Sequence, residues 1–168
     1  LEYSFGNWFN QMENDSDHVL KFKQDQEGRL IYSDRTGRPM LQEIYYNFSS
    51  ASGIDYVVDI SQPVGERVTF SKLKDGAEFS VDSTYIVAIN SYRGSGGGGH
   101  LIYGAGISKK ELAGRIISST DTDLRLQIMR WIKEKKKLYP RISGNWRIKP
   151  GTWWQKGKEI DYKLLIRN

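Results

Sequence analysis

Apolar residues Leu1, Phe5, Trp8, Phe9 and Met12 fall at i, i+4, i+7, i+8 and i+11, a spacing that predicts one apolar face of a helix at the start of the chain. Gly6 weakens that helix, and the polar run Glu13-Asn14-Asp15-Ser16-Asp17 is expected to end it. Its aromatics read as core, with a partner-binding stripe as the alternative. From His18 to Pro39 the pattern is broken, and Asp34-Arg35-Thr36-Gly37-Arg38 reads as a turn. Residues 41–48 fit helix or strand, with Tyr45, Tyr46 and Phe48 left to be accounted for.

The pattern then shortens to strand period. Ile54-Asp55-Tyr56-Val57-Val58-Asp59-Ile60 is a strand by composition, residues 61–65 turn the chain, and residues 67–73 alternate as a second strand. After a turn at Lys74-Asp75-Gly76, residues 84–91 are expected to return as a third. Residues 85–89 are apolar on both faces, which predicts a strand buried on both sides. Short connections favour an antiparallel or mixed sheet. Downstream, Ser108 with Glu111 forms a capping box for a helix to about Ser118. Thr120 with Asp123 is expected to start the next helix, which buries Leu124, Ile128, Trp131, Ile132 and Leu138 and stops at Pro140. Residues 145–148 are a strand candidate, and an amphipathic segment runs from Gly151 to Ile166. The expected fold is α/β (α+β), a mixed sheet flanked by helices, in one domain spanning residues 1–168.

Composition narrows the chemistry. With no cysteine there are no disulfides, thiolate metal sites or cysteine nucleophiles. Only two histidines occur, His18 and His100, and neither has Asp or His neighbours at ligand spacing. No catalytic or metal-binding residue is therefore assigned, and no apolar run reaches the roughly 20 residues of a membrane span. The net charge of +5 is uneven: from Asp121 onward 13 Lys/Arg face 5 Asp/Glu, densest at Lys133-Glu134-Lys135-Lys136-Lys137. That cluster reads as the solvated end of a helix, where cations suit the macrodipole, or as a nucleic-acid or membrane-surface patch.

Between the third predicted strand and the next helix stands Asn90-Ser91-Tyr92-Arg93, followed by glycines from 94 to 99 broken only by Ser95. Glycines at a strand end let backbone approach a ligand closely, and Tyr92 offers a ring beside them. A phosphate-loop reading fails for want of a Gly-Lys-Ser/Thr ending, and a dinucleotide fingerprint fails on spacing.

Three ordered segments together resemble the C-terminal domain of 5'-nucleotidases and 2',3'-cyclic-nucleotide phosphodiesterases. One is Asn90-Ser91-Tyr92-Arg93-x-Ser95-Gly96-Gly97-Gly98-Gly99. The second runs from Tyr46-Asn47-Phe48 through Gly53 and Asp59-x-Ser61 to Pro63-x-Gly65-x-Arg67-Val68. The third is Leu1-Glu2-Tyr3-Ser4 with Phe9-Asn10-Gln11. The resemblance implies a substrate-specificity domain that holds a nucleoside or nucleotide while a metallophosphatase domain, in cis or as a separate chain, hydrolyses the phosphate ester with divalent metals. No cofactor is implied in this chain. The resemblance maps the two base-stacking rings onto Phe48 and Tyr92, with Tyr46 as substitute for the first, and places Asn90, Gly97 and Gly98 in the same site. Many members carry an Asp after the Gly-Gly pair to hold the ribose hydroxyls; Gly98 stands there. The family's preceding Asn-Gly-Gly-Gly-x-Arg-type strand and its metallophosphatase motifs are not in this sequence. An extracytoplasmic location is likewise implied only by resemblance. Two other readings stay open: a basic RNA-binding or protein-interaction module using residues 133–137 with Trp146, Trp153 and Trp154, and a degenerate domain kept for assembly.

Overall fold

The computed structural model describes residues 1–12 and 17–166; most of the polar run 13–17 expected to end the first helix lies outside them, and that helix ends earlier, at Trp8, short of the expected Met12. Strand β1 (Ile54–Asp59) is the centre of a three-stranded sheet of order β2-β1-β3. Strand β2 (Val68–Leu73) runs antiparallel to it, as the short turn between them requires. Strand β3 (Trp146–Lys149) pairs parallel on the other edge, with Tyr56 opposite Trp146 and Val58 opposite Ile148. The sheet is mixed and flanked by helices, the α/β architecture expected from the sequence.

Helix α1 (Glu2–Trp8) lies on the sheet and carries Phe5, which is fully buried, into the core with Phe9, Tyr56, Val58, Ile60 and Ile148. Each such side chain removed from water is worth about 1.5–3 kcal/mol. The helix stops at Phe9, whose backbone is extended and bridges Leu20. The signature Pro63-x-Gly65-x-Arg67-Val68 is what docks it. Glu2 accepts from the Gly65 and Val68 amides, and the buried Arg67 donates to Phe9 O at 2.9 Å and, from Nε, to Gln62 O at 3.0 Å. The guanidinium thereby takes up a carbonyl oxygen left orphaned at the helix end. In Asp59-x-Ser61 the carboxylate accepts from both the amide and the hydroxyl of Ser61, which turns the chain out of β1.

Residues 18–41 form a chain of isolated bridges, Phe22 to Leu41 and Tyr32 to Pro39 among them, with the expected turn closed by Gly37 N–H on Ser33 O at 2.8 Å. Residues 45–47, left open between helix and strand, are a single 3-10 turn (Tyr45–Asn47). Helix α5 (Gly151–Leu165) closes over the first segment: Asp161 accepts from His18 and from the Val19 and Leu20 amides.

Two expectations are corrected. Residues 84–90 are not a strand and are not buried: Ile86 is 84% and Val87 71% exposed. The outer edge of β2 is already met by residues 77–79, through Leu73 N–H on Ala77 O and Phe79 N–H on Ser71 O. Both edges of β1 are taken as well, so the segment does not extend the sheet beside the strands that precede it. Tyr85 stacks on Phe79 at 5.1 Å and leads the chain away from the sheet. The second correction concerns the long basic helix. Helix α3 (Lys109–Gly114) has the predicted Ser108–Glu111 capping box but ends before Ser118. Helix α4 (Leu124–Lys135) is capped by Asp123 alone, not by Thr120, and ends before Pro140. Its apolar face, with Leu124, Ile128, Trp131 and Ile132, is exposed, as is Leu138, because no other described element packs across it.

Candidate functional site

Local folding brings the glycine-rich stretch to the Tyr46-Asn47-Phe48 turn. Asn90 caps helix α2 (Ser91–Gly94), its side chain accepting from the Arg93 amide at 2.9 Å. That one turn of helix ends in Gly96, whose φ of +93° is left-handed and re-aims the backbone into the 3-10 turn Gly97–Gly99. Tyr92, half-exposed, points its hydroxyl to Asn47 Oδ1 at 3.5 Å. Arg93 crosses the same gap and donates to Asn47 O at 2.6 Å and Gly97 O at 3.1 Å. Gly97 lies against the Tyr92 ring so closely that a Cβ there would fall 2.5 Å from it.

The other predicted site residues are placed as follows. Phe48 follows directly on Asn47 and is half-buried, with edge-to-face contacts to Phe5 at 5.4 Å and Trp8 at 5.5 Å. Tyr46 is exposed and meets Tyr45 edge to face. Gly98 sits beside the Arg93 guanidinium, at φ +69°. Tyr92, Arg93 and Gly98 are thus gathered around Asn47, with Phe48 next to it on the core side, while Asn90 serves as the cap of α2.

Sequence reasoning missed Asn47, although it stands inside the second signature, and gave no role to Tyr3 and His100. The His100 ring packs edge to face on Tyr3 at 5.2 Å, and its Nδ1 lies 3.0 Å from Gly98 O. A carbonyl only accepts, so Nδ1 carries the proton and Nε2 of the neutral ring is an acceptor. Nε2 is buried with no partner among the described residues, next to a cavity of about 10 Å³ lined by Tyr3, Ser4, Asn7, Glu43 and Asn47. Burial, and after it the charge of Arg93, hold the imidazole below its usual pKa. Among the described residues no group of three or more His, Asp or Glu is placed to hold a metal ion. No described helix is long and apolar enough to cross a membrane.

The basic helix and the tryptophans differ in their surroundings. Trp146, Trp153 and Trp154 pack against the core, Trp154 on Phe9 at 5.4 Å, while residues 133–137 are exposed on and after α4.

Comparison with known proteins decides the family. The sequence model described as 5'-nucleotidase, C-terminal domain, matches residues 17–104. The chain belongs to this family. The match spans β1, β2, the Tyr46–Phe48 segment and the whole Tyr92–His100 turn of the 5'-nucleotidase C-terminal domain, while Tyr3, Ser4 and Asn7 lie before it. The chain is 28% identical over 118 residues to the trifunctional nucleotide phosphoesterase protein YfkN of Bacillus subtilis, covering 62% of this chain and 7% of that protein. It is 28% identical over 124 residues to the 2',3'-cyclic-nucleotide 2'-phosphodiesterase/3'-nucleotidase of Salmonella typhimurium, covering 62% of this chain and 17% of that protein. It therefore spans a small part of both relatives. No solved structure matches it.

Proposed function

We propose that this 5'-nucleotidase C-terminal domain holds the nucleoside of a nucleotide by aromatic stacking, while a metallophosphatase domain outside these residues hydrolyses the phosphate ester. The observation that supports this reading is the meeting of Tyr92 with Asn47, positions 45 apart in two separate signatures, beside a glycine turn that leaves the ring half-exposed. A nucleobase is flat, polarisable and polar only at its edges, and one aromatic stack contributes about 1–3 kcal/mol. Phe48, or the exposed Tyr46, supplies the opposing ring; Asn90, Gly97 and Gly98 shape the turn. With no side chain at 98, the ribose hydroxyls get no acid from that position. The names of both relatives, with that of the family, support a phosphoester of a nucleotide, 5'-, 3'- or 2',3'-cyclic, as the substrate class. The divalent metals belong to the hydrolytic domain, and the setting is nucleotide breakdown outside the cytoplasm. In this reading the chain contributes specificity and no catalytic residue.

Calorimetric titration of the chain with adenosine tests it. Saturable binding that Tyr92→Ala weakens by about 1–3 kcal/mol, and Tyr92→Phe leaves nearly unchanged, is the expected result. Equal affinity for wild type and Tyr92→Ala removes the reason for calling this a nucleoside site.

A further inference from the structure

A cation beside a nucleotide site invites assignment as a phosphate contact, and Arg93 stands next to Tyr92. Its bonds serve a different purpose. Nη2 donates to Asn47 O at 2.6 Å and Nη1 to Gly97 O at 3.1 Å, while the guanidinium carbon lies 5.5 Å from the centre of the Tyr92 ring. One side chain thus ties together the Asn47–Phe48 segment, the glycine turn and the stacking ring. The fork is planar and fixed, so it can hold two carbonyl oxygens in one arrangement, which a lysine ammonium on a flexible stem cannot do.

Gly98 makes room for it. A Cβ at that position would stand 1.7 Å from Nη1 of Arg93 and 2.9 Å from Asn47 Oδ1. The missing side chain at 98 and the arginine at 93 therefore share one space, and filling it would expel the fork.

We propose that Arg93 is a positioning residue of the nucleoside site, which locks the Asn47–Phe48 segment onto the glycine turn and makes no contact with the ligand's phosphate. The proposal rests on the reading of Tyr92 as the stacking ring. Hydrogen bonds from a charged donor are stronger than neutral ones, and a loop ordered in advance is not ordered at the expense of binding. Without the fork each ligand must order the segment itself. The loss then falls equally on every ligand that stacks, phosphorylated or not.

The test compares adenosine with AMP on wild type, Arg93→Gln, Arg93→Lys and Tyr92→Ala. Arg93→Gln is expected to weaken both ligands by the same factor, about tenfold. Arg93→Lys is expected to restore little of it, since charge without the fork does not bridge. Loss of AMP affinity with adenosine unchanged, or rescue of AMP alone by lysine, would make Arg93 a phosphate contact and overturn the proposal. No loss for either ligand would overturn it too. Gly98→Ala is the second variant: it should weaken both ligands in the wild-type background and by a clearly smaller factor on top of Arg93→Gln, where the clash with the fork is gone and only the strain of a φ of +69° and the approach to Asn47 Oδ1 remain. Independent, additive losses would show that the two positions do not share it. Amide hydrogen exchange of the ligand-free chain separates this proposal from the stacking reading. Arg93→Gln should speed exchange at Asn47 and Phe48 even if Tyr92→Ala proves to leave affinity untouched, and unchanged exchange there would sink the strut.

Discussion

Asp161, near the end of α5, accepts a hydrogen bond from His18 Nδ1 at 2.7 Å, joining positions 143 apart in the sequence. The same carboxylate accepts from the Val19 amide at 3.0 Å and the Leu20 amide at 2.8 Å. Gly157 lets the helix come this near, since a Cβ there would stand 2.4 Å from Val19. The last helix and the first extended segment are therefore held by one buried acid.

Removing that acid strands donors in a buried place. Asp161→Ala is expected to destabilise the chain by about 2–4 kcal/mol, because a buried donor without an acceptor costs its full desolvation. Gly157→Ala should also destabilise, through overpacking against Val19, by about 1–3 kcal/mol. Urea unfolding followed by tryptophan fluorescence measures both, and a loss under about 0.5 kcal/mol for Asp161→Ala would show that the carboxylate is not a clasp.

Arg67 makes a second prediction of the same kind at the other end of the sheet. It is 1% exposed and serves the backbone carbonyls of Phe9 and Gln62. Arg67→Met keeps much of the packing volume but leaves those oxygens bare, and is expected to cost about 2–4 kcal/mol. A thermal melt showing an unchanged Tm would mean that the carbonyls are met by water instead.

These two anchors bear on how much the sequence revealed. The strand pair 54–60 and 67–73, the capping box at Ser108 and the core role of Phe5 and Phe9 follow from local pattern, and pattern was enough because each is satisfied by neighbours in sequence or by one face of one sheet. The misassigned elements are those whose pattern is equally apolar but whose partners decide the outcome. Residues 85–89 have strand composition, yet a strand needs a free edge, and the edge of β2 was taken by residues 77–79. Helix α4 has the right periodicity with no described element packed across it. In the site, Tyr92 and Phe48 were legible as motif residues. The part of Arg93 was not, because it depends on two carbonyl oxygens, and backbone acceptors carry no sequence signal.

The corrected placement of residues 84–90 is itself testable. Ile86→Thr and Val87→Thr remove apolar surface that is already in water, and are expected to change stability by less than about 0.5 kcal/mol. Val58→Ala, in the fully buried centre of β1, should cost about 2–3 kcal/mol in the same assay. Comparable losses at all three positions would put residues 84–90 back into a packed layer.

His100 gives a pH dependence with a defined sign. Burial and the Arg93 charge hold its folded-state pKa below the ordinary 6.5, so between the two values the unfolded chain binds more protons than the folded one. Stability from keeping the ring neutral is complete above about pH 6.5 and falls as the pH drops below it. His100→Gln should remove this component while retaining a donor for Gly98 O. The difference in unfolding free energy between wild type and variant, measured from about pH 7.5 down to 5, is expected to shrink toward the acid end. A difference that is flat with pH would show that the imidazole titrates alike in both states.

Phe48 and Tyr92 separate stability from binding. Phe48 is wedged among Phe5, Trp8, Phe9 and Trp146, and truncating it leaves a hole in that aromatic cluster. Phe48→Ala is expected to destabilise the chain by about 3–5 kcal/mol whatever it does to ligands. Tyr92 is 50% exposed and meets the rest of the protein through its hydroxyl at Asn47 and its ring at Gly97 and Arg93, so Tyr92→Ala should cost less than about 1 kcal/mol in stability. Adenosine affinity should fall for Tyr92→Ala by the loss of one stack, about 1–3 kcal/mol. For Phe48 the informative variant is Phe48→Leu, which keeps the core filled at a cost of about 1–1.5 kcal/mol and removes the flat face. If Phe48 is the second ring, Phe48→Leu weakens adenosine while Tyr46→Ala does not. If the exposed Tyr46 holds the base instead, the pattern reverses, and a chain in which neither change alters affinity binds its ligand on Tyr92 alone.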